Sequence, residues 1–158
     1  MKLPIFGIGP FYVIFCFIVT LFMIIFKVFG YITYGNMGME KIFFNILGIF
    51  FIISGIILWV YAVLVQKITE KISREVLLTN GIYSIVRNPI YSAFLFIFTT
   101  VFMWLNNYIL LIFLVIFYVF LTVLVKNTEE KWLLEKFGAE YLEYMNKVNR
   151  VLPWFPKK

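Results

Sequence analysis

Four apolar runs govern what this chain can fold into. The first, PFYVIFCFIVTLFMIIF from Pro10 to Phe26, holds no charged group and continues toward Phe29. The others cover Ile42 to Val65, Pro89 to Leu105 and Tyr108 to Val125. A helix rises about 1.5 Å per residue, so about 20 apolar residues cross a hydrocarbon core of about 30 Å. A helix also satisfies its own backbone polar groups where no water can. The expectation is an all-α integral membrane fold: four transmembrane helices over about 10–29, 42–65, 89–105 and 108–125. These form one membrane domain over 1–158, with a C-terminal helical hairpin and a cytoplasmic amphipathic tail helix. The third span is only marginally long enough to cross. Apolar residues make up 63% of the chain, more than a soluble domain of 158 residues could hide.

The connections carry their own signals. GYITYGNMGMEK, rich in Gly and polar groups, joins the first two runs. Gly48, Ser54 and Gly55 are small residues suited to a close helix contact. Residues 66–88, QKITEKISREVLLTNGIYSIVRN, form the one long polar interruption before the tail at 126–158. Asn106-Asn107 between two apolar runs reads as a tight turn, making the last two spans a hairpin. From Pro89 no Gly or Pro occurs until Gly138, so the fourth helix is expected to run on past the membrane surface and to end at Gly138. AEYLEYMNKV places Tyr141, Tyr144, Met145 and Val148 on one face, suited to lying in the membrane interface, and PWFPKK supplies aromatic and basic anchors.

Charge sets the expected topology. With four spans, one side carries Lys2, Lys67, Lys71, Arg74, Arg87 and the seven basic residues from Lys126 onward, against Lys27 and Lys41 on the other. The positive-inside rule puts both termini and the 66–88 loop in the cytoplasm. The net charge of +6 is thus explained by membrane orientation rather than by nucleic acid.

Composition excludes several chemistries. The chain has no Asp and no His, and Cys16 is its single cysteine. An internal disulfide, a Cys/His metal site and a Ser-His-Asp triad are therefore ruled out. Cys16 reads as a packing residue. The polar residues inside the runs, such as Thr20, Asn45, Ser54, Thr99, Thr100 and Thr122, are not ionisable, which counts against a transport path.

One polar cluster stands at the mouth of the third run, in NGIYSIVRNPIYSAF. Asn88 and Pro89 suit the N-cap and first residue of a helix, whose free N–H groups and dipole favour an anion. Arg87 adds a full positive charge, Gly81 permits the turn that brings the loop back, and Tyr83 and Tyr91 offer flat faces with hydroxyls. Each residue alone has a plain structural explanation: a snorkelling cation, a helix start, an aromatic belt. The hairpin, however, brings the start of the third span beside the end of the fourth, where Glu129 and Glu130 lie. Donors for an anion and carboxylates for a cation or a sugar diol would then meet over an apolar floor. S-adenosylmethionine has all the matching parts, and methyl transfer from it needs alignment and exclusion of water rather than a metal or a histidine.

The residues also resemble a family. Leu77, Thr79, Gly81, Tyr83, Arg87, Pro89 and Tyr91 fit L-x-T-x-G-x-Y-x-x-x-R-x-P-x-Y; Glu129, Glu130, Leu133, Phe137, Gly138, Tyr141 and Tyr144 fit E-E-x-x-L-x-x-x-F-G-x-x-Y-x-x-Y, with Arg150 and Pro153 after them. Over about residues 75 to 153 this resembles the integral-membrane methyltransferases of the isoprenylcysteine carboxyl methyltransferase and phospholipid methyltransferase group. The resemblance implies an S-adenosylmethionine site: Arg87 and Glu129 in catalytic roles, with Gly81, Tyr83, Asn88, Pro89, Tyr91 and Glu130 binding the cofactor. It also implies a lipophilic or lipidated acceptor entering sideways from the bilayer. Ile82 stands where the family usually has Pro, Ala93 where it often has Gly, and Asn88 where many members have His.

An amide cannot act as a base near neutral pH. The absence of that histidine favours carboxyl O-methylation of an isoprenoid-like or prenylated acid, since a carboxylate is already ionised. Phospholipid or amine N-methylation ranks second. An NADPH-dependent membrane reductase, using Lys126, Lys131 and Lys136 toward a 2′-phosphate, and a non-catalytic membrane protein remain as further readings; Glu129-Glu130 argues against the former.

Overall fold

The computed structural model describes residues 7–66 and 76–155. Lys2, the Lys67–Arg74 part of the expected loop and the terminal Lys157 and Lys158 lie outside the described residues. The described residues form six α-helices: α1 (Gly9–Val28), α2 (Lys41–Val60), α3 (Pro89–Trp104), α4 (Ile112–Asn127), α5 (Glu129–Phe137) and α6 (Ala139–Lys147). No β-strand occurs among the described residues; two isolated bridges, Asn36 with Asn107 and Val86 with Asn149, tie loops together. Three helical stretches are long and apolar enough to cross a membrane: Gly9–Val28, Lys41–Val65 and Ile109–Phe137.

α3, the remaining apolar helix and third along the chain, is shorter, and its surroundings explain why that is tolerated. Its 16 residues span about 24 Å at 1.5 Å per residue, less than the hydrocarbon thickness. It is also the helix the others surround. Leu95, Phe98 and Phe102 pack with Tyr12 and Cys16 of α1 and with Phe117, Leu121 and Val125 of α4. α1 buries only a stripe at Gly9, Tyr12, Cys16 and Thr20, the i, i+4 face of a helix whose remaining sides are apolar and exposed.

α2 approaches α3 through its glycines. A Cβ at Gly55 would stand 3.0 Å from the Ala93 carbonyl oxygen, and one at Gly48 would stand 2.5 Å from Trp104 Nε1. The expected close contact at small residues is therefore present. It lets polar groups pair across the interface: the Thr100 hydroxyl lies 3.0 Å from the Gly48 carbonyl, and Trp104 Nε1 donates to the Asn45 carbonyl at 3.2 Å.

The α3–α4 hairpin turns at Asn106-Asn107, as the sequence indicates. Asn106 takes φ +51, a conformation asparagine tolerates. Asn107 is fully buried; its amide donates to the Tyr34 carbonyl at 2.8 Å, and its Oδ1 accepts from Ile109 N at 2.9 Å. The turn is thereby anchored to the α1–α2 connection, where Met37 N donates to the Asn106 carbonyl at 2.9 Å.

Two expectations are corrected. The fourth helix does not run on unbroken: Thr128 leaves helical geometry at φ −123, ψ −84, separating α4 from α5. Its hydroxyl bonds back to the Leu124 carbonyl at 2.7 Å, the local competition by which threonine bends helices. The aromatic face of α6 packs on protein instead of lying in a membrane interface. Tyr141, Tyr144 and Val148 are buried against Leu78 and Tyr83 of the loop before α3, with Met145 alongside. Gly138, at φ +53 and ψ −124, does end α5 as expected, in a region of backbone space open essentially to glycine.

Candidate functional site

The loop before α3, the start of α5 and the segment after α6 converge at the end of the bundle where α3 begins. A 3₁₀ turn at Gly81–Ser84 leads into Val86 and Arg87. Arg87 N donates to the Asn149 carbonyl at 2.9 Å and Asn88 N to the Arg150 carbonyl at 3.1 Å. The Ser92 hydroxyl donates to the Val151 carbonyl. The tail after α6 thus runs as a strap along the entrance to α3.

Under this strap lies a buried charge cluster. Arg87 Nη1 stands 2.9 Å from Glu130 Oε1, with both side chains only 6% exposed. Arg150 grips the same carboxylate in a two-pronged contact, Nε to Oε1 at 2.6 Å and Nη2 to Oε2 at 2.9 Å. The Arg87 Nη1 also donates to the Tyr141 hydroxyl at 3.2 Å, and its guanidinium carbon lies 6.0 Å from that ring's centre. Two guanidinium groups against one carboxylate leave one unit of positive charge. Among the described residues Arg87 Nε, although buried, has no hydrogen-bond partner. Burial pushes the Tyr141 phenol up to about 12, against the opposing pull of Arg87. The Glu130 carboxylate raises the Arg150 pKa further.

Glu129 faces differently. Its Oε1 accepts from the Tyr91 hydroxyl and, at 2.7 Å, from Ile8 N. The start of α1 therefore reaches the site, and a Cβ on Gly7 would collide with the Glu129 carboxylate. Both of these donors are neutral groups, while Glu130 beside it is held by two cations. Tyr91 also meets Tyr12 edge-on, with ring centres 6.3 Å apart.

The residues singled out in the sequence divide into three groups. Arg87, Glu130, Glu129 and Tyr91 come together as the hairpin argument anticipates, and Pro89 opens α3. Tyr83 presents no free face: it is buried with Tyr141 and Tyr144, and its carbonyl accepts from the Tyr144 hydroxyl at 2.6 Å. Asn88 precedes α3 but makes no side-chain cap. Its amide donates instead to the Arg150 carbonyl at 2.9 Å, drawn away by the strap. The Asn88 N–H at this helix start is likewise taken up by the Arg150 carbonyl and is not open to an anion. Gly81 takes φ +60, as a return turn requires. Sequence reasoning gives Arg150 no place in the site. Its one signal is its position after the Glu-Glu motif in the family pattern.

The residues fit S-adenosylmethionine on two observations. The unpartnered buried N–H of Arg87, with the cluster's excess positive charge, suits a carboxylate. The Glu129 carboxylate, bonded by neutral groups, suits a cationic centre.

The family model described as phospholipid methyltransferase matches residues 43–140. A curated relative from Saccharomyces cerevisiae, protein-S-isoprenylcysteine O-methyltransferase, is 39% identical over 87 residues, which is 54% of this chain and 36% of that protein. The match thus spans about a third of the relative's length.

Proposed function

The chain belongs to the phospholipid methyltransferase family, and from that premise we propose that it transfers a methyl group from S-adenosylmethionine to a lipophilic acceptor drawn from the bilayer. The observation that carries this reading is the buried Arg87–Glu130–Arg150 cluster beside the Tyr91–Glu129 pair. It offers a cationic and an anionic pole a few side chains apart. The first acceptor is the carboxylate of an isoprenoid-like or prenylated acid, a reading supported by the name of the yeast relative, protein-S-isoprenylcysteine O-methyltransferase.

When bound, S-adenosylmethionine supplies a methyl electrophile on a sulfonium and leaves as a neutral thioether. Arg87, through its free N–H, holds an anionic group. Glu129, oriented by Tyr91 and Ile8, attracts the positive end. Glu130 and Arg150 fix Arg87. A carboxylate acceptor, already ionised at neutral pH, would take the methyl group without any residue of this site having to remove a proton. That suits a site whose Asn88 amide is turned to the strap and offers no base. The apolar core shared by α1, α3 and α4, which includes Tyr91, backs the Glu129 pole and keeps water from that side; a lipophilic acceptor would reach the site from the bilayer. All four apolar helices cross the membrane in this reading, α3 enclosed by its neighbours, with both termini cytoplasmic.

A second reading, N-methylation of a phospholipid amine, is favoured by the family's description. It requires a proton acceptor, for which Glu129 is the available group. Calorimetry on the purified protein in detergent tests the cofactor assignment. Binding of S-adenosylmethionine, well above any response to NADPH, is the expected result. Tight NADPH binding with no response to the methyl donor overturns it.

A further inference from the structure

α2 does not end as an ordinary helix. It runs on from Val60 into a π turn, Tyr61–Val65, closed by Gln66 N donating to the Tyr61 carbonyl at 2.9 Å. Such turns accommodate one extra residue and re-aim the side chains beyond them. Here the side chain re-aimed is that of Gln66. Its Nε2 donates to the Asn80 carbonyl at 2.9 Å and lies 3.3 Å from Asn80 Oδ1. Its Oε1 accepts from Ile82 N at 3.0 Å. The one amide thereby satisfies the backbone groups on both sides of Gly81, and the glycine is what lets it approach: a Cβ at Gly81 would stand 2.6 Å from Gln66 Nε2.

The clamp bears on the site through the chain itself. Ile82, held by Gln66, accepts through its carbonyl from both Ile85 N and Val86 N at 3.1 Å. Arg87 is the next residue along. We propose that Gln66 is a positioning residue for Arg87: it fixes the Asn80–Ile82 turn to the end of α2, and so sets where the Arg87 guanidinium is presented to the methyl donor. Gln66 touches no reacting atom. This rests on the function proposed above, and it assigns to α2 a part in donor binding that the motifs after Val76 do not contain.

The test compares wild type with Gln66→Met, which keeps length and bulk but lacks the amide, and with Gln66→Ala. Hydrogen exchange in detergent, without any ligand, reads the clamp directly. Faster exchange at Ile82 to Arg87 in both variants, with α3 and α4 unchanged, is expected; unchanged exchange there overturns the proposal whether or not the protein binds a methyl donor. Titration with S-adenosylhomocysteine reads the consequence. About tenfold weaker binding is expected, with the KM for the donor rising in step and kcat within about twofold, because two hydrogen bonds that order the loop are lost. Wild-type affinity in Gln66→Met, or an equal fall in kcat alone, overturns the positioning role. If wild type itself binds no S-adenosylhomocysteine, the proposed function fails, and the exchange result still decides whether Gln66 orders the loop.

Discussion

Arg87 Nη1 lies 2.9 Å from Glu130 Oε1, joining the entrance of α3 to the first turn of α5 with both side chains withdrawn from solvent. Arg150 closes on the same carboxylate from the tail. A buried charge group of this kind is costly to break from one side, because the partner left behind has neither water nor a counter-charge. Glu130→Ala leaves two guanidinium groups facing each other. It is expected to destabilise the protein by about 3–5 kcal/mol, read by thermal or denaturant unfolding in detergent. Arg150→Ala leaves Glu130 still paired with Arg87 and is expected to cost less.

Arg87→Lys separates charge from geometry. Lysine keeps the positive charge but has no fork to engage Glu130, Tyr141 and a ligand together. Binding of S-adenosylhomocysteine is expected to weaken at least about tenfold while the protein still folds, as calorimetry on the purified variant would show.

Packing between α2 and α3 is tight at Gly55. A Cβ there would stand 3.0 Å from the Ala93 carbonyl oxygen, so this backbone must give by a few tenths of an ångström, and a larger side chain asks for more. Gly55→Leu is expected to destabilise by about 1–3 kcal/mol or more, lowering the unfolding midpoint.

Much of this arrangement is legible in the sequence, and the reasons are physical. The apolar helices announce themselves because lipid demands long stretches without charge. The meeting of Arg87 with Glu130 comes from the Asn106-Asn107 turn, since a hairpin must bring its two ends together. The break at Thr128 is not legible, because threonine is common within helices and its hydroxyl bends only some of them. The destination of the α6 aromatic face is equally hidden. Tyr141 and Tyr144 at helical spacing look the same whether they face lipid or the Leu78–Tyr83 loop. The side-chain amides of Asn88 and Gln66 hydrogen-bond to backbone groups of remote segments, and such contacts leave no local pattern.

Alkali should loosen the cluster in a defined window. Burial raises the Tyr141 phenol from its ordinary value of about 10 to about 12, so the folded state holds its proton where the unfolded chain has lost it. The associated stability is complete below about pH 10 and falls away as pH rises toward about 12. Burial raises the Tyr83 and Tyr144 phenols as well and acts in the same direction. Unfolding midpoints measured from pH 8 upward should fall above about pH 10, and Tyr141→Phe should make that fall shallower.

The most direct measurement is transfer of a labelled methyl group. Membranes containing the protein are incubated with methyl-labelled S-adenosylmethionine, and the lipid and lipidated fractions are then treated with mild alkali. The expected result is label that alkali releases, as from a methyl ester, and that is absent with Arg87→Ala and Glu129→Gln. No methyl label above that of membranes lacking the protein, or equal labelling by both variants, would contradict a methyl transfer carried by these two residues.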